Sequence, residues 1–300
     1  MRARVLACAG VLLTAGCGSS SSSPVDARGT LDTLAQGQHQ KTVVLTPGDA
    51  DFSPGPIRYS FLVVAQDGRL ISKPTAEVWI ARGFKERPYQ RSTARLESVG
   101  VPGRSTASGE PLAIYVTHLR ADAPGTYWVL AKPKGTKISG LGNIVVRKHS
   151  YAKAVGERAP HSKTPTLAST QGSLARLSTS THPDRRLYTT SVAAALDAHE
   201  PFVVVFATPK FCTSRTCGPV VDVVSHVRKQ LSGSPVDFMH VEVYEGNNPA
   251  KGYNRWMREW GLQSEPWVFL VGRDGRIKAS FEGSLSPREL RAAIEAKLVR

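Results

Sequence analysis

The chain has 300 residues, of which 41% are hydrophobic and 21% charged, and a formal net charge of +15. This length and balance exclude a disordered or fibrous polymer and fit about two globular domains. The positive charge raises nucleic acid as a partner, but the basic residues are scattered and follow no helix-turn-helix or aromatic-basic pattern, which excludes that class.

Met1–Arg4 form a short cationic segment, and Val5–Leu13 an apolar run too short to span a bilayer; Thr14-Ala15-Gly16-Cys17 closes it with small residues. This ending resembles the lipobox of bacterial lipoproteins, although Thr14 stands where that motif prefers leucine. The resemblance implies a signal peptide over residues 1–17, lipid attachment at Cys17, and a mature protein on the extracytoplasmic face of the cell membrane. A secretory signal without lipid is the alternative. Residues 18–41, opening on Gly18 and five serines, are expected as a flexible tether. Without Arg2 and Arg4 the charge falls from +15 to +13, and residues 18–165 carry 20 Lys or Arg against 11 Asp or Glu. The excess therefore lies close to the membrane, whose anionic surface attracts it.

Residues 42–148 read as short strands between turns. Ile57–Ala65, Glu77–Ala81, Ala113–Leu119, Thr126–Leu130 and Asn143–Val146 are rich in β-branched and aromatic residues. Gln66-Asp67-Gly68-Arg69 and Asp122-Ala123-Pro124-Gly125 supply reversals. An all-β sandwich of immunoglobulin-like type is expected. It holds no cysteine and no cluster of ligand-type residues; His118, on an alternating strand, is expected to be a surface or packing residue, and the domain a spacer or recognition module. Residues 149–185, rich in Ser, Thr, Pro and Lys, are expected as a linker or an extended wrap onto the next domain.

From residue 186 strands alternate with helices. Phe202–Phe206 is a continuous apolar run, the mark of a strand buried on both faces. Val220, Val223, Val224, Val227 and Leu231 recur at helical spacing, with Gly218-Pro219 placing the helix start after Cys217. Strands over Val236–Tyr244, Trp267–Val271 and Arg276–Phe281 follow, with a helix over Gly252–Trp260 before the last two. Ser286-Pro287-Arg288-Glu289 opens a final helix. The order is βαβαββα behind a short extra helix at Ser191–His199.

With Cys8 lost in the leader and Cys17 acylated, Cys212 and Cys217 remain as an even pair in a disulfide-permissive place. Five positions along a regular helix separate Cα atoms by roughly 8.6 Å, whereas a disulfide requires less than about 7 Å. The pair therefore cannot lie in one helix, and residues 212–217 are expected as a loop. A helix starting beside Cys217, with Lys210 and Arg215 nearby, is expected to favour its thiolate. As a mere staple the pair is weak, since its six-residue ring removes only roughly 2 kcal/mol of unfolded-state entropy.

The element order, the cysteines between the first strand and its helix, and Pro266 opening the third strand resemble the thioredoxin fold over about 115 residues. More narrowly, Phe211-Cys212 to Cys217-Gly218-Pro219, Ser264-Glu265-Pro266-Trp267 and Asp274-Gly275-Arg276-Ile277 resemble exported actinobacterial proteins with the same CxxxxC spacing and a preceding β-sandwich. The resemblance implies that Cys212 attacks a disulfide, Cys217 resolves the mixed disulfide, and Pro266, as the family's cis-proline, presents backbone to a substrate strand. Its partners are protein or small-molecule disulfides and thiols, with no cofactor. Glu265 is unexpected there: a carboxylate near the thiols disfavours a thiolate, unless it points to Arg215 or solvent. Asp222 follows the cysteines, whereas the acid that assists thioredoxin precedes them, so that match fails.

Three alternatives use the same pair. One is a non-enzymatic binding module with a structural disulfide. Another is a copper site completed by His226 or His240, since thiolates suit copper(I), although both histidines sit in structural registers. The third is a thiol peroxidase, for which Thr208, Thr213 and Thr216 miss the required register. Tyr253, Trp256, Trp260 and Trp267 read as core packing rather than a ligand platform.

Overall fold

The computed structural model describes residues 29–36, 41–102, 113–212 and 216–299. The signal-like segment with Cys17, most of the serine-rich tether, and Thr213 and Arg215 of the cysteine loop lie outside these residues.

The N-terminal part is all-β. Its strands are β1 (Lys41–Pro47), β2 (Gly55–Val64), β3 (Thr75–Ala81), β4 (Gln90–Ser98), β5 (Ala113–Ala121), β6 (Gly125–Pro133) and β7 (Ile138–Val146). Two facing sheets are expected from the sequence. The ladders instead run β1-β2-β5-β4-β3-β6-β7 and close into a barrel, because β4 also pairs with β3 and β1 pairs in parallel with β7. Alternation explains the core: Ile57, Tyr59, Phe61 and Val63 of β2 are all buried. Tyr59, Phe61 and Tyr115 stack in series at 5.3 and 5.2 Å. His118 is exposed on β5.

Leu31–Gln36, expected within the tether, form a short helix, α1. Leu31 and Ala35 bury against Trp79, Ala81 and Leu130 on the barrel's outer face, so apolar packing overrides the flexibility suggested by the neighbouring serines.

The C-terminal part contains α2 (Val192–Asp197), β8 (Phe202–Phe206), α3 (Cys217–Gln230), β9 (Asp237–Val241), α4 (Arg255–Glu259), β10 (Trp267–Val271), β11 (Ile277–Glu282) and α5 (Pro287–Lys297). The sheet order is β11-β10-β8-β9, with β8 and β9 parallel and the other pairs antiparallel. This is the expected βαβαββα order behind one extra helix. The run Phe202–Phe206 splits by alternation: Val203 and Val205 face α3 and α5, while Phe202, Val204 and Phe206 join Trp260 and Met257 on the other side. Val220, Val223, Val224 and Val227 of α3 are buried, each stabilising the fold by about 1.5–3 kcal/mol.

Residues 149–185 run extended over this domain rather than through solvent. Lys153 N–H donates to Trp260 O at 3.1 Å, Trp260 Nε1 donates to Ser162 Oγ at 3.1 Å, and Leu177 is buried in the domain core.

The barrel and the α/β domain are joined by polar contacts. Arg58 of β2 donates to both oxygens of Glu289 at 2.6 and 2.9 Å, to Ser284 O at 2.7 Å and to Asp49 at 3.1 Å. Glu282 Oε2 accepts the N–H groups of Ala50 and Asp51 at 2.7 and 2.8 Å. Gly283, at φ 68°, lies so close to Gly48 that an added Cβ would stand 2.3 Å from its carbonyl oxygen. Among the described residues no helix is long and apolar enough to cross a membrane.

Candidate functional site

The pair sits where β8 gives way to α3. Cys212 is partly exposed and Cys217 fully buried, both as thiols. The helix begins at Cys217 itself, one residue earlier than the start after Cys217 that Gly218-Pro219 suggested. Proline is tolerated in a first turn because the N–H it lacks has no intrahelical acceptor there; Val220 N–H makes its bond, to Thr216 O, at 3.0 Å. Cys212 stays outside the helix, so the loop expected between the cysteines ends one residue before the second.

This one-residue difference reverses the expected electrostatics. The Cys217 backbone N–H donates to Cys212 Sγ at 3.3 Å, so the free donor at the helix start favours a thiolate on Cys212. Burial pushes the Cys217 thiol far up, and its hydrogen bond to Cys212 adds to the shift; the backbone N–H of Thr208 opposes it. Cys217 is therefore the protonated partner, contrary to the expectation that its thiolate is favoured.

Pro266 follows a cis peptide bond from Glu265, and its carbonyl accepts the Gly283 N–H at 2.9 Å. Glu265 points neither to solvent alone nor to an ion-pair partner among the described residues. Tyr253 Oη donates to its Oε2 at 2.7 Å, and Tyr244, stacked on Tyr253 at 5.5 Å, also bonds to it. Partial burial pushes the Glu265 carboxyl up, and the negative charge of Cys212 adds to this; Glu265 in turn raises Cys217. Tyr253 and Tyr244 are raised as well, first by desolvation. Two thiols, one carboxyl and two phenols thus share one electrostatic environment.

A second buried acid positions the loop from below. Glu242, one residue past β9, accepts from Thr179 N and Thr179 Oγ1 at 2.6 and 2.8 Å, and Thr179 Oγ1 accepts the Lys210 N–H at 3.1 Å. The extended segment before the domain therefore holds the backbone two residues ahead of Cys212. Lys210 itself is exposed and stacks its ammonium over Phe211.

The histidines of the copper alternative are not brought to the sulfurs. His240 is buried, accepting from Tyr188 Oη at Nδ1 (2.6 Å) and donating from Nε2 to Ala207 O (3.0 Å); burial lowers its pKa. His226 pairs with Gln230 along α3 at 2.9 Å. Among the described residues no group of three or more His, Cys, Asp or Glu could hold a metal. Trp260 and Trp267 are buried, as core packing requires. Tyr253 and Trp256 are half-buried and pack against the same core, and Tyr253, which precedes α4, also serves Glu265. Sequence reasoning missed Tyr253, Tyr244, Glu242 and Thr179 because none lies in a motif; the unusual acid before Pro266 was the one available signal.

No family model matches the chain, and no curated protein does. Among solved structures, MTB DsbF in its mixed oxidized and reduced forms aligns with a TM-score of 0.27 and 21% identity, over 33% of this chain and 81% of that one. A thiol:disulfide interchange protein of the thioredoxin family from Chlorobium tepidum TLS aligns with a TM-score of 0.34 and 14% identity, over 49% of this chain and 99% of that one.

Proposed function

We infer that the α/β domain is a thioredoxin-like thiol–disulfide exchange module working outside the cytoplasmic membrane. The observation that carries this reading is the asymmetry of the pair: a partly exposed Cys212 sulfur receives the N–H of a buried, protonated Cys217 at the start of α3. Cys212 thiolate attacks a substrate disulfide, forming a mixed disulfide and releasing one substrate thiolate. Cys217 then loses its proton and attacks Cys212 Sγ, releasing the second thiolate and leaving the Cys212–Cys217 disulfide. Two electrons pass to the substrate, and the reverse sequence oxidises a dithiol. Pro266 is the proposed backbone contact for a substrate strand, through the carbonyl lone pair that the Gly283 N–H leaves open, and these steps call on no cofactor.

The preceding domain fits a barrel-closed relative of the immunoglobulin sandwich. β1-β2-β5-β4 and β3-β6-β7 follow the ABED and CFG strand orders, and Tyr127 Oη donates to Ala123 O at 2.6 Å in the manner of a tyrosine corner. Anchoring through acylated Cys17 is the proposed membrane attachment, supported by the sequence pattern alone; Cys17→Ala is expected to move the protein from the membrane to the soluble fraction, and unchanged fractionation would reject it.

The competing reading is a binding module with a structural disulfide. The reduction potential of the pair separates the two. A value above about −300 mV with turnover of a disulfide substrate supports exchange; a value well below it without turnover marks a structural bond.

A further inference from the structure

A cleft of about 350 Å³ opens between the two domains, reaching the residues next to Cys217 and Pro266. Thr216, next to Cys217, and Glu265, next to Pro266, line one side; Thr46, Pro47, Leu62 and Ile114 of the barrel line the other. Its floor, Glu282–Ser284, carries the interdomain bonds to Ala50, Asp51 and Arg58. The walls are therefore fixed relative to each other, and the cleft is preformed, which lowers the cost of filling it.

We propose that the barrel wall of this cleft is a substrate-recognition surface, and that its occupant is an extended, non-acidic polypeptide segment flanking the substrate's reactive cysteine. The proposal rests on the thiol-exchange reading: the cleft borders Thr216 and Glu265, the neighbours of Cys217 and Pro266, so a substrate joined to the pair can lay its flanking residues along it. Three observations select the occupant. The cavity has room for a short run of side chains and not for a folded partner. Its apolar side continues outward along the barrel: in the β1–β2 register Thr46 faces Leu62 and Val44 faces Val64, and Val44 is 63% exposed. A small disulfide has no use for that extension, whereas a strand rising about 3.3 Å per residue spans it. Finally, Glu265 and Glu282 put two carboxylates on the cleft, and among the described residues neither has an ion-pair partner; Glu282 is satisfied by backbone N–H groups and Ser264. Negative charge there disfavours acidic segments and anionic small thiols.

The test uses the full chain, reduced, and two probes: hydroxyethyl disulfide, and a disulfide-linked peptide with apolar residues and a lysine flanking its cysteine. The readout is the ratio of the peptide to the small-disulfide rate constants. In the Val44→Asp/Leu62→Asp double variant the ratio is expected to fall at least tenfold. Thr46→Trp, an exposed site where folding is not at stake, is expected to lower it by obstructing the cleft. A wild-type ratio that rises when glutamate replaces the lysine, or a ratio that neither variant changes, would overturn the proposal while leaving thiol exchange intact. A wild-type protein inert to both probes would overturn both readings.

Discussion

Cys212 and Cys217 are the same side chain in two surroundings, and the surroundings assign their roles. One helix N–H and partial exposure favour a thiolate at Cys212, while complete burial keeps Cys217 protonated. Glu265 is the adjacent group most open to test. Its pKa lies above the ordinary value of 4.5, chiefly through burial. In the window from that value up to the raised one, the folded state binds more protons than the unfolded, so this group lowers stability as pH rises. Glu265→Gln removes the effect and still accepts the Tyr253 hydroxyl. Urea melts are expected to show the variant gaining on the wild type as pH rises above about 4.5, and alkylation of the partly exposed Cys212, which repels the Glu265 charge, is expected at lower pH than in the wild type. A stability difference that does not vary with pH would mean that Glu265 is not a perturbed acid. Glu265 was legible in the sequence as an anomaly beside Pro266, but its phenol partners were not: Tyr244 and Tyr253 meet only because Tyr244 lies beyond β9 and Tyr253 ahead of α4.

At the scale of elements, periodicity revealed the α/β domain almost completely. Alternation in β8 and the valine stripe of α3 each leave one arrangement that buries their apolar side chains. What escaped was governed by single hydrogen bonds. The start of α3 differs from the expected point because proline fits a first turn as well as a helix boundary. Residues 149–185 follow the extended-wrap alternative of the sequence reading, but composition did not show that Thr179 from this segment completes the support under the cysteine loop. Thr179→Val leaves the buried Glu242 carboxylate short of a donor, a loss of about 1–3 kcal/mol. Thermal or urea unfolding is expected to show that loss, together with slower reaction of Cys212; a variant as stable and as reactive as the wild type would remove Thr179 from the site's support.

For the whole molecule, the two domains act as one body because a buried cation ties them. Arg58 is engaged by Asp49, Glu289 and Ser284, with only 11% of its side chain exposed. Truncating one partner of such a cluster strands the others in low dielectric; Arg58→Ala is expected to cost about 3–5 kcal/mol, seen as a lower urea midpoint or as separate transitions for the two domains. Two domains were an expectation from length and pattern; this junction was not legible, since Arg58 and Glu289 are distant in the chain and neither belongs to a motif. The closing of the barrel was hidden likewise, because pairing between β1 and β7 depends on register rather than composition. The most direct test of the account is to trap the mixed disulfide in the full chain, using Cys217→Ser and a disulfide substrate followed by mass spectrometry. Stable adduct on Cys212, absent from Cys212→Ser, is the expected result; adduct on Cys217 in Cys212→Ser and none on Cys212 would contradict it.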